Sequence, residues 1–83
     1  MIRFRLAELM EKRQFETGRR LTIGEVATET GLNRMTLSKI LNQRGYSTGT
    51  DTVDRLCTFF NCRVEDLMQH LPGEADEKRS PAK

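Results

Sequence analysis

The stretch that decides the fold runs from Ile23 to Asn42 and reads IGEVATETGLNRMTLSKILN. It holds two amphipathic segments on either side of Gly31, a residue able to adopt the positive φ that commonly ends a helix. Ala27 supplies a small side chain where two steeply crossing helices approach each other. Apolar residues then recur at helical spacing: Leu32, Leu37 and Ile40. These positions predict a helix-turn-helix, although an ordinary helical hairpin with a glycine turn would share part of the pattern.

Both helices of the pair have a recognisable start. Thr22 followed by Glu25 is a capping box, in which each side chain accepts a hydrogen bond from the backbone N–H of the other residue. Asn33, just after the turn, is a strong N-cap for the second helix of the pair. On a 3.6-residue period, Leu37, Ile40 and Leu41 face one way. The opposite side carries Met35, Ser38, Lys39 and Asn42, with Arg34 and Thr36 at the edges.

That opposite side lacks negative charge, because no acidic residue occurs between Gly31 and Arg44. Arginine and lysine can reach base edges and phosphates, so the pattern favours a surface for nucleic acid. Met35 would then contact a thymine methyl group, or it could be half-buried packing. A second basic pair, Arg19 and Arg20, belongs either to a solvated loop or to the same surface.

Length and composition exclude several classes of protein. The 83 residues suffice for one domain, and the net charge is only +2. No apolar run approaches the roughly 20 residues of a membrane span, so we expect a cytoplasmic protein without membrane contact. With one histidine, His70, and carboxylates that do not converge, we expect no catalytic residues and no enzyme activity. Cys57 and Cys62 are spaced for neither a redox pair nor a zinc site, so we expect core packing, no metal and no cofactor.

Outside the central stretch, the pattern predicts three more helices. The first runs from about Leu6 to Glu16 and is stopped by Thr17 and Gly18. The fourth is capped by Thr48 or Thr50 and ends at Asn61 in left-handed backbone. The fifth runs from Val64 to about Leu71. Residues 1–73 then form the domain, and residues 74–83 read as a disordered tail.

The N-terminal residues, from Met1 to Leu6, alternate apolar and basic side chains, which is typical of a strand. The strand is either a simple extended lead-in or an edge that pairs with its twin in a dimer. Together with Leu67 and Leu71, it is the candidate dimer interface.

The chain resembles the phage-repressor and Cro-type helix-turn-helix family, also called the xenobiotic-response-element family. The most specific parts are GLNRMTLSKIL, residues 31–41, and DTVDRLCTFFNCRVEDLM, residues 51–68. The resemblance spans about Met1 to Pro72 and implies an all-α, five-helix, lambda-repressor-like domain with the helix-turn-helix at its second and third helices. The chain departs from the family in a long linker, Phe15 to Leu21, and at Leu41 and Arg63.

The resemblance also implies roles for individual residues. Base-reading positions fall on the third helix and its start: Asn33, Arg34, Met35, Ser38 and Lys39. Phosphate-contacting positions fall on Thr22, Asn42 and Arg44. The implied function is a sequence-specific regulator, a repressor or autoregulator, that binds double-stranded DNA as a homodimer. An alternative is an antitoxin or adaptor that binds a protein partner, with DNA binding secondary.

Overall fold

The computed structural model describes residues 1–72, which form five helices and a two-stranded sheet. The elements in chain order are β1 (Ile2–Phe4), α1 (Leu6–Thr17), α2 (Ile23–Thr30), α3 (Arg34–Asn42), α4 (Thr50–Phe60), α5 (Val64–Leu67) and β2 (Met68–His70). The expected helical fold with a short N-terminal strand is confirmed. The expected tail, residues 74–83, lies outside the described residues.

A single apolar core draws on all five helices. Its most deeply buried side chains are those of Leu6, Val26, Leu37, Leu56 and Leu67. Burying one side chain of this size contributes about 1.5–3 kcal/mol relative to leaving it exposed. Because α2 and α3 both insert into this core, their crossing is fixed by the same contacts that hold the domain together.

Most of the predicted helix ends are confirmed. Gly18 and Gly31 follow α1 and α2 with φ of 72° and 76°, and Asn61 follows α4 with φ of 53°. The predicted start of α4 is wrong, because its N-cap is Gly49 rather than Thr48 or Thr50. The helix begins there because the Gly49 carbonyl already accepts from the amides of Thr52 and Val53, with N to O distances of 3.1 Å and 3.4 Å.

The prediction for the fifth helix is wrong at its C-terminal end. The helix stops at Leu67, and Met68–His70 forms β2, antiparallel to β1. Backbone pairing with β1 outweighs local helix preference here. The Leu71 amide donates to the Met1 carbonyl at 2.8 Å, and the Arg5 amide donates to the Leu67 carbonyl at 2.6 Å. The N-terminal segment is therefore a strand of a two-stranded sheet and not a simple extended lead-in to α1.

Two further expectations are corrected by the packing. Leu67 is fully buried in the core, so it cannot belong to an exposed dimer interface. The linker between α1 and α2 is shorter than expected, because α1 continues through Phe15 to Thr17. The linker is held by α1 itself, since the Leu21 amide donates to Gln14 Oε1 at 2.9 Å and the Arg19 amide donates to Thr17 Oγ1 at 3.2 Å.

Gly31 provides a direct test of the turn between α2 and α3. At φ of 76°, a β-branched side chain is strained, and a Cβ atom there would lie 2.9 Å from Arg55 Nη1. We expect Gly31→Val to lower the free energy of unfolding by more than about 1 kcal/mol in urea titration. The arginine tip can move aside, so backbone strain accounts for most of the cost. An unchanged urea midpoint would contradict the assigned turn.

Candidate nucleic-acid interface

The turn between α2 and α3 is fixed by hydrogen bonds that the sequence pattern did not reveal. Thr30 Oγ1 donates to the Val26 carbonyl at 2.6 Å and accepts from the Leu32 amide at 3.2 Å. From α4, Arg55 Nη1 donates to the Thr30 carbonyl at 3.1 Å, and Arg55 also pairs with Asp51 at 3.1 Å. Arg55 therefore satisfies a carbonyl at the end of α2 that would otherwise lack an intrahelical partner.

Helix α3 has one buried side and one exposed side. Leu37 and Ile40 are buried, and Leu41 is partly buried against the same core. On the other side Arg34, Lys39 and Asn42 are exposed, and Ser38 is half-buried. Met35 is 64% exposed, so it offers an apolar side chain to solvent and is not half-buried packing.

Both helix starts on this surface are capped as predicted. Glu25 donates its amide to Thr22 Oγ1 at 3.1 Å, and its carboxylate accepts the Thr22 amide at 3.1 Å. Asn33 Oδ1 accepts from the Met35 amide at 2.6 Å. The Thr22 hydroxyl proton and the Asn33 amide nitrogen are not used in these caps, so both remain available as donors.

Arg34 joins the two helices into one surface. Its Nε lies about 4.0 Å from the position that a Cβ on Gly24 would occupy, and Thr22 Oγ1 lies 3.7 Å from the same point. The guanidinium group of Arg34 is thus beside the N-terminus of α2, where unpaired backbone N–H groups favour anions. From this position it can reach a base edge or a phosphate.

The comparison with known families agrees with this geometry. The chain matches the model of the Cro/C1-type helix-turn-helix DNA-binding domain over residues 5–73. It belongs to this family. A search of curated proteins found no match. The predicted resemblance and fold class are confirmed, and the individual contact residues remain predictions.

In this Cro/C1-type domain, Ser38 and Asn42 form a linked pair. Asn42 Nδ2 donates to the Ser38 carbonyl at 3.0 Å and lies 3.3 Å from Ser38 Oγ. The Ser38 hydroxyl oxygen therefore accepts one hydrogen bond, and its proton can still be donated to a bound molecule. To donate to a phosphate, the Asn42 amide would have to leave Ser38. Arg44, in the turn after α3, is exposed.

Arg19 and Arg20, which the sequence assigned either to a solvated loop or to the surface of α3, line the same groove as Thr22. This groove has a volume of about 630 Å³ and includes Arg19, Arg20, Thr22 and Arg34. Glu25 and Glu29 also line it, and Glu25 accepts from the Thr22 amide, so the groove holds two carboxylates against four arginines. The charge of Arg19 and Arg20 therefore adds to the basic surface around the start of α2.

Arg13 lines this groove too, but its guanidinium group is held by the fold. It donates to the Phe59 carbonyl at 2.9 Å and stacks on the Phe59 and Phe60 rings at 5.0 Å and 5.3 Å from their centroids. A guanidinium engaged on two sides is a structural link between α1 and α4.

The two cysteines lie at the end of α4 and are half-buried. Burial, together with the neighbouring Cys57, raises the pKa of the Cys62 thiol to about 11. At neutral pH this thiol stays protonated, and a protonated thiol is a poor nucleophile and metal ligand. Within residues 1–72, no three side chains of His, Cys, Asp or Glu come together as a metal site, and no helix is long and apolar enough to cross a bilayer.

Proposed function

We propose that this protein is a sequence-specific transcriptional regulator, a repressor or autoregulator, that inserts α3 into the DNA major groove as a homodimer. One observation carries the proposal. The exposed side of α3 combines polar, cationic and apolar side chains without an acidic residue, while its other side is locked into the core. A helix held in this way keeps the backbone positions from which these side chains project in a fixed arrangement.

The exposed side chains suit different features of a base pair. Arg34 and Lys39 can donate to guanine O6 and N7, and Met35 can contact a thymine methyl group. Asn33 and Ser38 each keep a free donor for base edges. Thr22 lies at the start of α2 near Arg34, and Arg44 follows the end of α3. Both would contact phosphates, as would Asn42 after release from Ser38.

A dimer follows from the small reach of one helix. One α3 covers only a few base pairs, whereas two copies related by a twofold axis can read half-sites about 10–10.5 base pairs apart. Twofold symmetry in the protein would then match a palindromic site.

Arg34→Ala tests the proposal against a charge-matched control. We expect the variant to lose about 1–3 kcal/mol of binding free energy on the preferred site and to relax the preference at one base pair per half-site. The control is Arg63→Ala, which removes the same charge at the corner between α4 and α5, where Arg63 lies 3.5 Å from Glu65. Titration of labelled duplexes with each variant measures the difference.

The two variants separate three outcomes. A loss for Arg34→Ala that is equal on preferred and random DNA would make Arg34 a phosphate contact. Equal behaviour of Arg34→Ala and Arg63→Ala would contradict α3 as the reading surface. If the wild type bound a protein partner tightly while Arg34→Ala left that binding unchanged, the antitoxin or adaptor alternative would gain support.

A further inference from the structure

The register of the two-stranded sheet shows which backbone groups of β1 are unpaired. Met1 and Leu71 exchange two hydrogen bonds, with N to O distances of 3.3 Å and 2.8 Å, and the Arg5 amide donates to Leu67. Hydrogen-bonded residues alternate along an antiparallel ladder, so Arg3, midway between Met1 and Arg5, is the residue of β1 whose backbone groups face β2. The N–H and C=O groups of Ile2 and Phe4 therefore point to the outer edge, where residues 1–72 supply no backbone partner.

A largely apolar groove of about 480 Å³ adjoins this strand. It runs from Ile2 and Phe4 to Ile40 and Leu41 at the end of α3, and Leu71 also lines it. An unpaired strand edge beside apolar side chains is a template for another extended segment.

We propose that β1 pairs antiparallel with β1 of a second copy, centred on Arg3, to form a continuous four-stranded sheet across the dimer. This interface would join the two DNA-reading helices of the homodimer. Its significance for DNA binding rests on the proposed function. The occupant is a second copy because the strand is complementary to itself in this register.

The self-complementarity follows from counting the outward backbone groups. With the twofold axis at Arg3, Ile2 faces Phe4 of the second copy, and the two pairs exchange four hydrogen bonds. Each pair also sets a β-branched side chain beside an aromatic one on the same face, a favourable cross-strand combination. An axis at Ile2 or at Phe4 would pair only one residue with its equivalent and give two hydrogen bonds.

The central position brings two Arg3 side chains together, and the fold already compensates this charge. Arg3 Nη2 pairs with Glu8 at 2.6 Å, and Nη1 donates to Gln69 Oε1 at 2.9 Å. Each arginine would therefore enter the interface beside a carboxylate from its own copy. Like charges that are each paired repel much less than free ones.

The location of β1 has a consequence for DNA binding. The groove beside β1 includes the C-terminal residues of α3, so a twofold axis at Arg3 would bring the ends of the two α3 helices toward the axis. The N-terminal halves, with Arg34 and Met35, would lie outward on each half-site. Pairing of the strands would then fix the separation between the two reading surfaces.

Engineered cysteines test the register directly. In a Cys57→Ser, Cys62→Ser background, Arg3→Cys should form an intermolecular disulfide with oxidised glutathione, because Cα atoms at the centre of this register lie about 4.5 Å apart. The matched control is Gln69→Cys on β2, which would lie three strand spacings from its equivalent, about 14 Å. We expect at least tenfold faster crosslinking for Arg3→Cys on non-reducing gels.

A second variant removes one outward donor and leaves the ladder within each copy intact. Ile2→Pro deletes an N–H that points away from β2. We expect it to sediment as a monomer with unchanged circular dichroism, whereas the wild type is dimeric at the same micromolar concentration. A monomeric wild type, or equal crosslinking of Arg3→Cys and Gln69→Cys, would overturn the inference. Both measurements omit DNA, so they fail independently of the proposed DNA binding.

Discussion

Leu37→Ala is expected to lower the free energy of unfolding by about 2–5 kcal/mol, one of the two largest effects that the structure predicts. Leu37 is fully buried, and together with Ile40 it is the part of α3 that is buried in the core. The loss combines the transfer of the side chain to water with the cavity left behind. Since a domain is stable by only about 5–15 kcal/mol, much of that margin would disappear. Urea denaturation followed by circular dichroism gives the value.

Met35→Ala, on the same helix, is the control. Met35 is 64% exposed, so its removal should change the free energy of unfolding by less than about 0.5 kcal/mol. The comparison separates the packing side of α3 from its exposed side. Similar destabilisation by the two substitutions would mean that α3 does not present one side to the core and the other to solvent.

The second large effect concerns DNA. The double variant Arg34→Ala with Lys39→Ala should lose about 2–6 kcal/mol of specific binding free energy, if the two contacts add. The residues are five positions apart on α3, a rise of about 7.5 Å along the helix axis, so each would meet a different base pair. Binding to the selected site, measured at constant salt, tests this sum.

The control for the double variant removes the same charge elsewhere. Lys12→Ala with Arg63→Ala also lowers the net charge by two, on α1 and at the corner before α5. Lys12 lines a separate groove together with Asp66 and Cys62. We expect the control to retain sequence preference and to lose affinity only through weaker long-range attraction. If both double variants lost binding equally, net charge and not the surface of α3 would govern the interaction.

The helix-turn-helix could be predicted because its determinants are local. A capping box at Thr22, a left-handed glycine at position 31 and an N-cap at Asn33 each depend on a few neighbouring residues. Their hydrogen bonds are present in the structure as expected. The exposed side of α3 was equally predictable, since helical periodicity alone separates Lys39 from Leu37.

The features that sequence missed depend on residues far apart in the chain. Met68–His70 would be helical by local pattern, but β1 offers a backbone partner that only the folded chain brings near. Arg55 closes the end of α2 from 25 positions away. Pairings of this kind depend on the tertiary arrangement, which local sequence patterns do not reveal.

If two copies of α3 read a DNA sequence, selection from a random duplex pool followed by salt titration will show it. We expect enrichment of a palindrome with half-sites about 10–10.5 base pairs apart, or a multiple of that spacing. The selected site should be bound at least about 10³-fold more tightly than random DNA at physiological salt. Recovery of no shared sequence, with affinity that falls equally for all duplexes as salt rises, would contradict the claim.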